Sequence, residues 1–111
     1  EDRENEGDLI LAAEFATPEK VALMIRYTSG ILCVPMEASR AKQLDLPPMI
    51  VNNTDPKQTA FTVSCDVEGT TTGVSAYDRA LTTRALADPK STASMFRKPG
   101  HMFPLVARPG G

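Results

Sequence analysis

The stretch Phe61-Thr62-Val63-Ser64-Cys65-Asp66-Val67-Glu68-Gly69, continued through Thr70-Thr71-Thr72-Gly73-Val74-Ser75 into Ala76-Tyr77-Asp78-Arg79-Ala80-Leu81, changes its hydrophobic period partway along. Phe61, Val63, Cys65 and Val67 alternate with Thr62, Ser64 and Asp66, which predicts a half-buried strand with the apolar set inward and the polar set outward. Glu68-Gly69 turns the chain. Ser75 and Asp78 stand at the S-x-x-D spacing of a helix start, so a helix is expected from about Ala76 to Ala87, stopped by Asp88-Pro89.

Working outward, Leu9 to Ala13 is a short apolar run expected to form a buried strand. Thr17-Pro18-Glu19 marks the next helix: a hydroxyl cap, proline at the first helical position and an acid in the first turn. Ser29-Gly30 ends it, Ile31 to Pro35 reads as a strand carrying Cys33, and Glu37 to Leu44 as a second helix closed by Pro47-Pro48. Asn52 to Pro56 is loop, and Phe96 to Gly111 reads as proline- and glycine-rich loop with a short strand near Met102 to Val106. Strands and helices mix without strict alternation, so the expected fold is α+β: a mixed sheet flanked by helices, an irregular α/β sandwich forming one domain over residues 1–111. The chain opens on Glu1-Asp2-Arg3-Glu4 without a methionine and closes on Pro109-Gly110-Gly111, and both ends read as cuts within a longer chain.

An apolar fraction of 41% supplies a core, and a formal net charge of -2 gives no electrostatic reason to expect nucleic acid or an anionic membrane as partner. No apolar run is long enough to span a bilayer, and the charged opening does not resemble a secretory signal. Cys33 and Cys65, both in apolar surroundings, fit buried or site-lining thiols in a reducing compartment, hence the cytoplasm or an organelle lumen.

Three segments could carry chemistry. In Arg3-Glu4-Asn5-Glu6-Gly7-Asp8, carboxylates at alternate positions share one side of an extended segment, an arrangement suited to a hard cation such as Mg²⁺ or Mn²⁺; a solvated acidic loop has the same composition. Thr70 to Ser75 sets hydroxyls and backbone N–H groups before a helix, which serves either an anion or a tight turn with its cap. His101, the single histidine, follows Arg97-Lys98-Pro99-Gly100 and is either a held proton carrier or a structural histidine. Cys33 is open between core and nucleophile in the same way.

Taken together, these segments resemble the 3,4-dihydroxy-2-butanone 4-phosphate synthase family. The resemblance is carried by Glu1 to Asp8, by Tyr27-Thr28-Ser29-Gly30-Ile31-Leu32-Cys33, by Leu44-Asp45-Leu46-Pro47-Pro48-Met49, by Thr59 to Val63, by Thr71 to Ala80 and by Arg97 to Leu105, in family order. It implies a lyase that turns D-ribulose 5-phosphate into L-3,4-dihydroxy-2-butanone 4-phosphate and formate for riboflavin synthesis. It further implies Mg²⁺ or Mn²⁺ and a homodimer with its sites at the interface, acting on a small sugar phosphate. By position, Glu4 corresponds to the metal-binding glutamate, and Arg3, Glu4 and Asp8 to substrate contacts. Glu6 corresponds to an acid for proton transfer, Cys33 to a cysteine close to the substrate, Thr72 and Asp78 to the phosphate side, and His101 to an essential histidine.

The family's later segment, with a second metal-ligand histidine and a further catalytic glutamate, lies past Gly111, and Lys57-Gln58 stands where a His-Gly pair is usual. Turnover by these 111 residues alone is therefore expected to be weak or absent. The alternatives are a catalytically incomplete binding domain of the same ancestry and one part of a bifunctional enzyme with GTP cyclohydrolase II.

Overall fold

The computed structural model describes residues 10–108. Their secondary structure runs through α1 (Pro18–Tyr27), β1 (Cys33–Met36), α2 (Ala38–Gln43), β2 (Cys65–Val67), α3 (Ala76–Ala87) and β3 (Phe96–Val106), with 3₁₀ turns at Ala13–Phe15 and Ala93–Met95. The sheet has three strands in the order β1-β3-β2. β1 runs parallel to β3, pairing Cys33 with Phe103 and Met36 with Val106, and β2 runs antiparallel to β3. The fold is therefore α+β with a mixed sheet. α3 packs on β2 and β3, and α1 packs on α3.

Both expected helix starts are present. Thr17 Oγ1 accepts from the Lys20 N–H at 3.2 Å, and Ser75 Oγ accepts from the Asp78 N–H at 3.0 Å. Val21, Leu44, Cys65, Ala80, Leu86, Phe96 and Met102 form the centre of the core. Thr82 lies inside it with no exposed surface, yet its hydroxyl is satisfied twice: Oγ1 accepts from the Val67 N–H at 3.0 Å and donates to the Asp78 carbonyl at 3.2 Å. That hydroxyl joins α3 to β2, which matters because β2 carries Asp66 and α3 carries Asp78.

Several expectations are corrected. Within the expected strand from Leu9 to Ala13, Leu9 lies outside the described residues, Ile10 to Ala12 form no strand, and Ala13 enters a 3₁₀ turn. Ile10 is almost fully exposed, so apolar character in that short run does not reflect burial on a sheet. The strand read from Phe61 to Val67 is regular only over Cys65–Val67; Phe61 and Thr62 make isolated bridges to Leu105 and Pro48. The inward–outward alternation also fails, because Thr62 and Asp66 are buried and their polar atoms find partners inside the protein. Cys33 is exposed on β1, and among the described residues the two cysteines form no disulfide.

The largest departure is at Phe96 to Val106, read as mostly loop and folded as one eleven-residue strand. It keeps the proline and glycine by bulging. Cys65 pairs with Met102 while the next residue of β2, Asp66, pairs with Arg97. Lys98, Pro99, Gly100 and His101 are thus accommodated opposite a single step of β2, with a cis Lys98–Pro99 bond inside the bulge. Lys98 Nζ anchors the bulge to the end of α2 through the Asp45 carbonyl at 2.8 Å and Asp45 Oδ2 at 3.0 Å.

The Thr82 hydroxyl gives a direct test of this packing. Thr82→Val keeps the shape but leaves the buried Val67 N–H without an acceptor, so unfolding in urea is expected to show a loss of about 1–3 kcal/mol. A loss near zero would mean that another acceptor reaches Val67.

Candidate functional site

The bulge sets His101 against Asp66. The His101 backbone N–H donates to Asp66 Oδ1 at 2.7 Å, and ring Nδ1 lies 2.9 Å from Oδ2. An ionised carboxylate only accepts, so a neutral imidazole in this place has its proton on Nδ1 and its lone pair on Nε2. Asp66 is 7% exposed, and a carboxylate this buried needs such partners to offset its desolvation. The His101 side chain keeps 43% of its surface, so one residue of the pair is held inside and the other reaches out.

Two glycines make the approach possible. A Cβ on Gly100 would lie 2.2 Å from the Cys65 carbonyl carbon and 2.4 Å from the Asp66 nitrogen, so the bulge could not close on β2 with any other residue there. A Cβ on Gly73, whose φ is +92°, would lie 2.1 Å from Asp66 Oδ2 and 2.8 Å from His101 Nδ1. The Thr72-Gly73 turn therefore sits directly on the carboxylate–imidazole pair. Ser64 Oγ accepts from the Gly100 N–H at 3.0 Å and completes the fastening.

Asp78 builds that turn. Its Oδ2 accepts from the Thr71 hydroxyl at 2.8 Å, the Gly73 N–H at 3.0 Å and the Thr71 N–H at 3.2 Å. The Thr71 hydroxyl, opposed by burial and aided by the backbone N–H groups of Gly73 and Thr71, holds this carboxyl below its usual range. The backbone donors that could have met an external anion here thus meet an internal one. The Thr72 side chain remains exposed at the rim, with a long 3.5 Å contact from the Val74 N–H. Arg79 closes the far side, donating through Nε to the Val74 carbonyl at 2.9 Å and through a terminal nitrogen to the Gly30 carbonyl at 2.8 Å.

Of the residues named from sequence, the structure brings Thr72, Asp78 and His101 into one neighbourhood through Gly73. Cys33 lies on β1 opposite Phe103, on the strand beside the one carrying His101. Cys33 is exposed, but partial desolvation by the surrounding protein still raises its thiol from the ordinary value, and burial, with Asp66 beside it, pushes that of Cys65 up to about 12, so both are thiols rather than thiolates at neutral pH. Arg3, Glu4, Glu6 and Asp8 lie outside the described residues. Asp66 was missed. The alternation from Phe61 to Val67 placed it with Thr62 and Ser64 in the polar, outward set, where an acid is ordinary, so no local signal marked it.

The described carboxylates beside His101 do not fit a divalent cation. Asp66 commits both oxygens to His101, Asp78 commits Oδ2 to Thr71 and Gly73, and among the described residues no cluster of three His, Cys, Asp or Glu side chains could hold a metal. A cavity of about 810 Å³ runs along Asp45, Leu46, Met49, Asn53 and Phe61 and includes neither His101 nor Cys33, Thr72 or Asp78. Oriented polar groups converge at His101, whereas that groove is mainly apolar.

The family model described as 3,4-dihydroxy-2-butanone 4-phosphate synthase matches residues 1–111. A Candida albicans protein named 3,4-dihydroxy-2-butanone 4-phosphate synthase is 61% identical over 99% of this chain and 54% of its own length. The riboflavin biosynthesis protein RibBA of Rhodococcus jostii is 60% identical over 100% of this chain and 27% of its own. A crystal structure of a 3,4-dihydroxy-2-butanone 4-phosphate synthase in complex with two magnesium ions superposes with a TM-score of 0.94 at 55% identity, covering 98% of this chain and 51% of that one. The chain thus spans about half the length of these two synthases and about a quarter of RibBA.

The depressed Asp78 carboxyl carries a stability consequence. Its folded-state pKa lies below the unfolded value, so its contribution is present above the ordinary carboxylate range near pH 4 and is lost as pH falls through the folded-state value. Thermal melts are expected to show a smaller acid-induced loss in Asp78→Asn than in the parent. An identical acid limb in both would show that the carboxylate is not held as described.

Proposed function

The chain belongs to the 3,4-dihydroxy-2-butanone 4-phosphate synthase family, and from that premise we propose that the full-length protein is the lyase that converts D-ribulose 5-phosphate to L-3,4-dihydroxy-2-butanone 4-phosphate and formate. The observation that carries the proposal is the match across the whole chain combined with a partly exposed His101 whose Nε2 has no hydrogen-bond partner among the described residues. The reaction removes protons from carbon and oxygen and returns them elsewhere, and an imidazole with one nitrogen fixed and the other bare is suited to that traffic. His101 is the proton carrier in this reading, with Glu6 a second acid.

Arg3, Glu4 and Asp8 contact the sugar, Thr72 faces the phosphate, and the Cys33 thiol lies beside the substrate as a protonated group. Asp78 belongs to the substrate wall through the turn it shapes, since its own Oδ2 is already hydrogen-bonded. The magnesium-bound relative supports use of a divalent cation, Mg²⁺ or Mn²⁺, which stabilises negative charge on substrate oxygens when bound. Glu4 is the ligand this chain contributes, and the remaining ligands come from outside residues 10–108. A homodimer with sites at the interface, in the cytoplasm or an organelle lumen, completes the proposal. Among the described residues no helix is long and apolar enough to cross a membrane.

Fusion to GTP cyclohydrolase II is a second setting for the same domain. Similarity is near equal toward a single-activity relative and toward the longer RibBA, so the mass of the full-length polypeptide distinguishes the two settings.

Formate release from D-ribulose 5-phosphate by the full-length polypeptide tests the proposal. Activity is expected to vanish with a chelator and return with Mg²⁺, and His101→Gln is expected to lower kcat by about 10²–10⁴-fold. Glu4→Gln is expected to weaken metal-dependent substrate binding. Unchanged binding in that variant would remove Glu4 as ligand, and formate release indifferent to His101→Gln would remove the proton role.

A further inference from the structure

We infer that Asp66 is a positioning residue for His101: it fixes the imidazole as the Nδ1–H tautomer so that the bare Nε2 is the atom offered to the sugar phosphate. This deepens the proposed function and rests on its assignment of proton transfer to His101.

The attachment is at two points. One carboxylate oxygen takes the backbone N–H of His101 and the other takes its ring nitrogen, so main chain and side chain are referred to the same rigid group. A carboxylate that served only to satisfy the bulge would need the backbone bond alone. Asp66 itself has little freedom. It is buried on β2, its neighbour Val67 is tied to Thr82 of α3, and its other neighbour, Cys65, abuts Gly100.

The turn on top of the pair excludes the alternative in which water replaces the carboxylate. Gly73 is buried, and a single carbon added to it would overlap Asp66 Oδ2 and crowd His101 Nδ1. Free imidazole prefers its proton on Nε2; the carboxylate inverts that preference, because the proton next to it is the one it can accept. In turnover the Nδ1 proton stays where it is. The Nε2 lone pair takes a proton from the substrate and returns it, and Asp66 neither gains nor loses one. Orientation of a base by a third group is the general logic of such pairs.

The test is Asp66→Asn. Asparagine has the same shape but only one acceptor oxygen, with an NH₂ donor in place of the other. The His101 backbone N–H can only donate and takes that oxygen, so the NH₂ faces Nδ1, which must become an acceptor and send its proton to Nε2. Nitrogen NMR of the full-length polypeptide, at a pH where imidazole is neutral and with His101 signals identified by their loss in His101→Gln, is expected to show the Nδ1–H form in the parent and the Nε2–H form in D66N. Formate release by D66N is expected to fall about 10²–10⁴-fold in kcat, with KM for D-ribulose 5-phosphate little changed.

An Nε2–H parent, or a D66N that keeps the Nδ1–H form, overturns the positioning role. A switched tautomer with kcat intact overturns its bearing on the reaction. If D66N does not fold, the parent tautomer alone decides the positional claim. Absence of formate release from the parent overturns the proposed function and the catalytic half of this inference, while the tautomer result still decides the other half.

Discussion

A strand that carries four residues past a single step of its neighbour is the constraint on which the site depends. β3 leaves β2 after Arg97 and rejoins it at Met102, and His101 is the last residue of the excursion. The excursion fits only because Gly100 has no side chain to strike Cys65 and Asp66, and because Ser64, Asp66 and Asp45 take up its free N–H groups and its lysine. A bulge at a sheet redirects one side chain away from the regular alternation. Here it turns the histidine from a position in a strand into a group held by backbone and ring against one buried acid.

The second half of the arrangement comes from the turn before α3. A helix start usually leaves its first N–H groups to caps or to ligands. In this chain Ser75 caps the helix and Asp78, one turn in, reaches back to gather Thr71 and Gly73. The loop so formed lies on the Asp66–His101 pair. Hydrogen bonds to a charged acceptor are stronger than those between neutral groups, so this turn is fixed more firmly than an ordinary surface loop. The oxygens of Asp66 and Oδ2 of Asp78 are taken up by donors within the protein, and in the proposed function the cation falls to Glu4.

Much of this was legible in the sequence, and the reason differs by element. α1 and α3 were readable because Thr17-Pro18 and Ser75-x-x-Asp78 are local signals whose physics is complete within four residues. The strands were harder. β3 contains Pro99 and Gly100, which locally argue for loop, and only its two partner strands, distant in sequence, make it regular. Thr62 and Asp66 followed an alternating pattern that tertiary hydrogen bonds overrode. His101 and the Thr71–Ser75 turn stood out by residue type, but the link between them is Asp66 and the missing side chain of Gly73, neither of which a period or a motif marks. The resemblance in chain order pointed to the chemistry, and the geometry supplied the residue that orients it.

A crystal structure of the full-length protein with D-ribulose 5-phosphate and Mg²⁺ bound is the most direct measurement. The account predicts the sugar within hydrogen-bond reach of His101 Nε2, about 2.6–3.2 Å, with its phosphate toward Thr72 and the metal on Glu4. A sugar phosphate seated instead in the apolar groove between Asp45 and Phe61, with Nε2 turned away from it, would contradict the account.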